Sequence, residues 1–118
     1  MEKRRDYIPK ILERLKEINP SKVILFGSYA YGTPHEDSDI DLIIVLNKRG
    51  VAASYKEKKE NRMTVGKKIF SVEEEAPIDT LVYTLDEWEY FLNNNSSFSK
   101  LITQKGILLY EADNRTMA

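Results

Sequence analysis

The spacing of apolar residues changes along the chain, and each change marks an element. From Tyr7 to Ile18 the residues Ile8, Ile11, Leu12, Leu15 and Ile18 recur at helical spacing, with Pro9 in the first turn and Asn19-Pro20 as the stop. Lys22–Phe26 and Asp39–Leu46 are short β-branched runs that read as strands buried on both faces beyond their ends. Between them, Tyr29 to Ser38 reads as a loop with one helical turn at its start. From about Ala53 to Phe70 the spacing predicts a highly charged helix carrying Met63, Gly66 and Phe70 on one side, followed by a loop from Glu73 to Pro77. Ile78–Tyr83 has strand composition, and Thr84-Leu-Asp-Glu87 matches a capping box opening a helix through Leu85, Trp88, Phe91 and Leu92. Asn93 to Ser97 breaks it. Phe98, Leu101 and Ile102 predict a last short helix capped by Gly106, and Ile107–Tyr110 a terminal strand.

The predicted order is α-β-(α)-β-α-β-α-α-β, an α+β fold in which helices pack on a small mixed sheet. At 118 residues, with 42% hydrophobic and 31% charged content, the chain is expected to form a single soluble domain over residues 1–118. The longest apolar run, Leu42 to Leu46, is far too short to span a bilayer, so no membrane partner is expected. The absence of Cys excludes disulfides and thiolate metal sites, and a reducing, cytoplasmic location is the expectation.

Eighteen basic and 19 acidic residues leave no global field that would mark a nucleic-acid binder, and direct nucleic-acid binding is not expected. The balance hides blocks. Residues 23–47 carry four acidic and no basic groups, 48–68 carry eight basic and two acidic, and 71–94 carry seven acidic and none basic. A cluster of carboxylates needs water, basic neighbours or metal to be tolerable.

Within the acidic blocks lie three features that together carry chemistry: Gly27-Ser28 straight after a strand, Asp39-Ile40-Asp41 opening the next, and Asp79 at the start of a third. Side chains alternate along a strand, so Asp39 and Asp41 are expected on one face, where their repulsion calls for a hard cation such as Mg²⁺. If the strand of Asp79 lies beside them, a third carboxylate completes a cradle for two metal ions. Gly27 lets backbone approach a phosphate, and the amides and Ser28 hydroxyl that follow supply donors to it. An anion site facing a metal site is what transfer of a nucleotidyl group from a triphosphate requires.

Rival motifs fail on single residues. Asp37, Asp39 and Asp41 share the first spacings of an EF-hand loop, but Leu42 stands where the turn glycine belongs and Lys48 where the bidentate glutamate belongs. Gly27 to Gly32 has phosphate-loop spacing with Thr33 in place of the lysine. His35, the one histidine, reads as an ordinary loop residue, and the charges of Lys56 to Glu60 and Glu73 to Glu75 as solvated surface.

Gly27-Ser28 followed after ten residues by Asp39-Ile-Asp41, inside GSYAYGTPHEDSDIDLIIV, resembles the signature of the polymerase β-type nucleotidyltransferase superfamily, and the short chain resembles its minimal nucleotidyltransferases. The likeness extends to the leading helix, to the carboxylate in PIDTLVYT and to the closing Gly-Ile-Leu-Leu-Tyr strand. It implies transfer of AMP, or another nucleoside monophosphate, from a nucleoside triphosphate such as ATP to a hydroxyl. Mg²⁺, two ions in the leading expectation, would sit on Asp39, Asp41 and Asp79, with Asp79 placed to activate the acceptor and Gly27 and Ser28 at the phosphates. Such minimal members commonly pair with a HEPN-domain protein in a toxin and antitoxin system and AMPylate its tyrosine. One departure is visible, since members often carry Arg or Lys where Tyr29 or Tyr31 stands here. Two other readings stay open: a non-catalytic antitoxin that blocks its partner by occlusion, and a small-molecule nucleotidyltransferase completed by a second subunit.

Overall fold

The stripe of Ile8, Ile11, Leu12 and Leu15 forms helix α1 (Ile8–Leu15), with Pro9 in its first turn and a 3-10 turn continuing to Ile18. Asn19 then closes it in the left-handed conformation at φ +49°. The structure, a computed structural model, describes residues 7–32 and 39–112. The expected loop residues 33–38, His35 among them, lie outside the described residues.

The β-branched runs become β1 (Lys22–Phe26), β2 (Ile40–Val45) and β3 (Ile78–Tyr83), with a single helical turn, α2 (Ser28–Tyr31), after β1. Helix α3 (Tyr55–Glu73) connects β2 to β3 as the crossover that two parallel strands require. Helices α4 (Leu85–Asn93) and α5 (Ser97–Lys105) and the terminal strand β4 (Ile107–Glu111) complete the chain. The sheet order is β3-β2-β1-β4, with β1 antiparallel to both β2 and β4, and β2 parallel to β3. The α+β architecture and element order follow the sequence expectation.

Alternation along the central strands builds two cores. Ile40, Leu42 and Ile44 of β2 join Val23 and Leu25 of β1 under α1 and α3, together with Ile11, Leu15, Val65 and Ile69. Ile43, Val45 and Ile24 point the other way, onto Trp88 and Ile102 of α4 and α5. Burial on both faces explains why β2 reads as a nearly continuous apolar run.

The structure sharpens two local expectations and corrects one, the start of β2. Met63, Gly66 and Phe70 share one side of α3 as expected, and that side faces outward: Met63 and Phe70 are exposed, and the buried stripe is Asn61, Val65, Ile69 and Val72. Both stripes run at helical spacing, and the crossover places the β-branched one on the sheet. Buried Asn61 is satisfied by the Lys48 Nζ at 3.0 Å. Second, Asp39 lies just outside β2, which begins at Ile40 with a hydrogen bond to the Pro77 carbonyl. Third, Gly106 caps α5 as expected, in extended backbone rather than the left-handed conformation usual at such caps. Glycine is needed there because a Cβ would lie 2.6 Å from the Ile102 carbonyl oxygen.

The capping box at Thr84 forms in both directions, the Thr84 hydroxyl accepting from the Glu87 amide and the Glu87 carboxylate from the Thr84 amide. One turn on, the Asp86 carboxylate accepts from the Gly50 amide and the Arg49 guanidinium, which hold its pKa below the ordinary carboxylate value. These bonds tether the loop between β2 and α3. Among the described residues no helix is long and apolar enough to cross a membrane.

Candidate active site

The turn after β1 is built around Gly27, whose φ of +73° and ψ of −161° lie in a region essentially restricted to glycine. A Cβ there would sit 2.0 Å from Oδ2 of Asp41 and 2.9 Å from its Cγ. Glycine is therefore required twice, by the backbone conformation and by the carboxylate pressed against it. The Gly27 carbonyl accepts from the amides of Ala30 and Tyr31, which closes the turn that begins at half-buried Ser28. The two halves of the sequence motif, ten residues apart, meet in space at this contact.

Parallel pairing of β2 with β3 sets Asp41 directly opposite Asp79. Adjacent strands lie about 4.8 Å apart, so the two carboxylates are neighbours on one face of the sheet. Asp41 is half-buried, whereas Asp39 and Asp79 are exposed. The pKa of Asp41 is pushed up, first by desolvation and then by the negative charges of Asp79 and Asp39. The structure thus brings Gly27, Asp39, Asp41 and Asp79 into one locality, with Ser28 next along the turn.

Asp41 also has a neighbour that inspection of the sequence does not reveal. Phe26 is the residue opposite Asp41 on the antiparallel side. Its ring packs edge-on against Phe98 at 5.6 Å, and Phe98 packs in turn on Phe91 at 5.6 Å. An apolar aromatic wall from β1, α4 and α5 therefore adjoins the carboxylates. Alternation along β1 could have put Phe26 on this face only with the β1–β2 register in hand.

Among the described residues no group of three or more His, Cys, Asp and Glu side chains is arranged to hold a metal ion by itself. The carboxylates form an open, like-charged set rather than a closed cage. Such a set fits Mg²⁺, which takes one or two carboxylates and completes its shell with water and substrate phosphate oxygens. The side-chain-free Gly27 wall beside Asp41 leaves backbone where a phosphate would approach. Tyr31 keeps its hydroxyl buried without a hydrogen-bond partner among the described residues.

Gly27→Ala is expected to strain the turn and displace Asp41 together. Holding a non-glycine residue in this region costs on the order of 1–3 kcal/mol. A Tm lowered accordingly, with loss of nucleotide binding by calorimetry, is the expected result. An alanine variant as stable and as active as wild type would refute the contact.

Comparison with known proteins adds family to geometry. Residues 8–103 match the profile of the Nucleotidyltransferase domain family. Among solved structures, a chain from Sulfolobus solfataricus assigned as a nucleotidyltransferase superposes with a TM-score of 0.57 at 18% identity, covering 92% of this chain and 84% of that one. A toxin-antitoxin structure with AMP-PNP gives 0.53 at 21% identity, over 90% of this chain and 74% of that one. A mutant of the toxin-antitoxin MntA-HpeT gives 0.51 at 19% identity, again over 90% and 74%. These likenesses are of fold. No curated protein sequence matches the chain significantly.

Proposed function

The chain belongs to the nucleotidyltransferase domain family, and from that premise we propose that it transfers AMP from ATP to a tyrosine hydroxyl of a HEPN-type toxin, acting as its antitoxin. The observation that carries the transfer reading is the contact of Gly27 with Asp41, together with Asp79 directly across the strand pair. The partner reading draws on the toxin-antitoxin structures of the same fold, one of them with AMP-PNP.

In the proposed reaction the acceptor oxygen attacks the α-phosphorus, forming a new P–O bond as the bond from that phosphorus to the bridging oxygen of the β-phosphate breaks. Pyrophosphate leaves with the electron pair. Asp79, exposed at the rim, accepts the hydroxyl proton or orients the hydroxyl for its loss. Asp39 and Asp41 would hold Mg²⁺, with Asp79 beside them, and Mg²⁺ when bound neutralises charge on the phosphates and on the leaving group. Gly27 allows the triphosphate to approach backbone, and Ser28 donates to a phosphate oxygen. The aromatic wall of Phe26 and Phe98 lowers the local dielectric, so that each charge interaction in the site counts for more.

The test is incubation of the chain and its co-expressed partner with each of the four α-³²P-labelled nucleoside triphosphates and Mg²⁺. Label from ATP on a partner tyrosine, lost with EDTA, is expected. A partner that is inhibited yet never labelled would replace transfer by occlusion, and label on a small molecule alone would replace the protein acceptor.

A further inference from the structure

β3 is one of the two outer strands of the sheet, and a groove of about 800 Å³ runs along its free edge between α3 and α4. Two observations describe what that edge offers. The hydrogen bonds to β2 are made by odd-numbered positions of the β3 run, as in Ile40 N–H to the Pro77 carbonyl and Leu46 N–H to the Tyr83 carbonyl. In a parallel pair these positions alternate, so the N–H and C=O groups of Thr80 and Val82 face the groove. Along the walls stand Tyr55 and Tyr90, 74% and 73% exposed, and Phe91.

The groove also carries net positive charge. Lys58 and Arg62 of α3 line it, and among the described residues neither has a carboxylate within salt-bridge distance. Arg62 lies 5.9 Å over the Tyr55 ring. The lining carboxylate, Glu87, has both oxygens occupied, one by the Thr84 amide and one by the Ala52 amide. Unspent positive charge therefore faces a row of unspent backbone donors and acceptors.

We propose that this groove binds an extended acidic polypeptide segment as an added strand of the sheet, and that the segment belongs to the protein acceptor. The acceptor clause rests on the transfer reading above, whereas the binding clause does not. Backbone pairing with Thr80 and Val82 supplies affinity, and the tyrosines and cations select apolar and acidic side chains. Thr80 to Tyr83 spans about 10 Å at roughly 3.3 Å per residue, and Asp79 lies one residue before its start. A hydroxyl carried at that end of the added strand is delivered to the carboxylates. Tyrosines and cations also suit single-stranded RNA. RNA makes no use of backbone groups set at β spacing, which favours the peptide.

The test pans a phage-displayed library of random octapeptides against the purified chain without nucleotide or metal. The best binder is then measured by fluorescence anisotropy. Enrichment of acidic, β-branched sequences is expected, with affinity reduced at least tenfold by Val82→Pro. The Val82 N–H faces the groove, so proline there blocks the edge without removing a sheet hydrogen bond. Lys58→Glu with Arg62→Glu, both on the exposed side of α3, should cost at least tenfold as well. Amide hydrogen exchange should slow at Thr80 and Val82 on peptide binding, and not at Leu81. No enriched sequence, or binders indifferent to both variants, overturns the proposal, as does a twelve-residue oligouridylate that binds in place of the peptide. Peptide binding by a wild-type chain that transfers no nucleotide to any acceptor in the presence of Mg²⁺ supports the groove and rejects the transfer reading.

Discussion

Replacing Asp39 and Asp41 together by Asn is expected to abolish nucleotidyl transfer while the domain stays folded. The substitution keeps size and removes the negative charge that would hold Mg²⁺. Metal stabilisation of transition-state charge is worth several kcal/mol, and at about 1.4 kcal/mol per decade the loss is roughly 10³-fold or more. Asp41→Asn alone should at the same time raise the Tm of the chain without metal. Desolvation and the charges of Asp79 and Asp39 raise the Asp41 pKa, so ionised Asp41 costs stability above the ordinary carboxylate pKa near 4. That cost is relieved as pH falls through the raised value. The Tm advantage of the Asn variant is therefore expected at pH 7 and should vanish in acid. Mg²⁺ plus ATP should reverse the order at pH 7, because only wild type gains stability by binding them. Thermal melts at two pH values, with and without Mg²⁺ and ATP, check both halves. A double variant that transfers at the wild-type rate would end the proposed mechanism.

Asp79→Ala should slow turnover about 10²- to 10⁴-fold while leaving ATP affinity nearly unchanged, because help in deprotonating or orienting the acceptor is realised in the transition state. Asp79 is exposed, so little change in Tm is expected. Single-turnover transfer rates alongside calorimetric ATP binding separate the two quantities. Unchanged turnover with weakened ATP binding would reassign Asp79 to holding the bound triphosphate.

The parts of the candidate site could be picked out in the sequence because they are short and local. Gly27-Ser28 sits where a strand ends, Asp39 and Asp41 where another begins, and Thr84 to Glu87 announces α4 by a reciprocal cap that forms as read. The strands Lys22–Phe26 and Ile78–Tyr83 have the bounds that composition assigns them. The sequence could state only as a condition that the strand of Asp79 lies beside that of Asp41. The parallel register makes them opposite residues. Equally, nothing in the spacing of Gly27 and Asp41 required the carboxylate to lie where a Cβ would be.

What the sequence by itself determined is the type and extent of the elements and the chemistry at their ends, since propensity, capping and periodicity act over a few residues. Tertiary structure decided which face of α3 turns inward, which strands lie at the sheet edges, and which aromatic stands opposite Asp41. Met63 and Phe70 share helical spacing with each other as Val65, Ile69 and Val72 do, and only the long-range pairing of β2 with β3 selects between the two stripes. The same pairing leaves Thr80 and Val82 at a free edge beside Lys58 and Arg62, residues that read singly as a strand and a solvated helix face. Adjacency across tens of residues is a property of packed surfaces, and no local pattern along one chain segment encodes it.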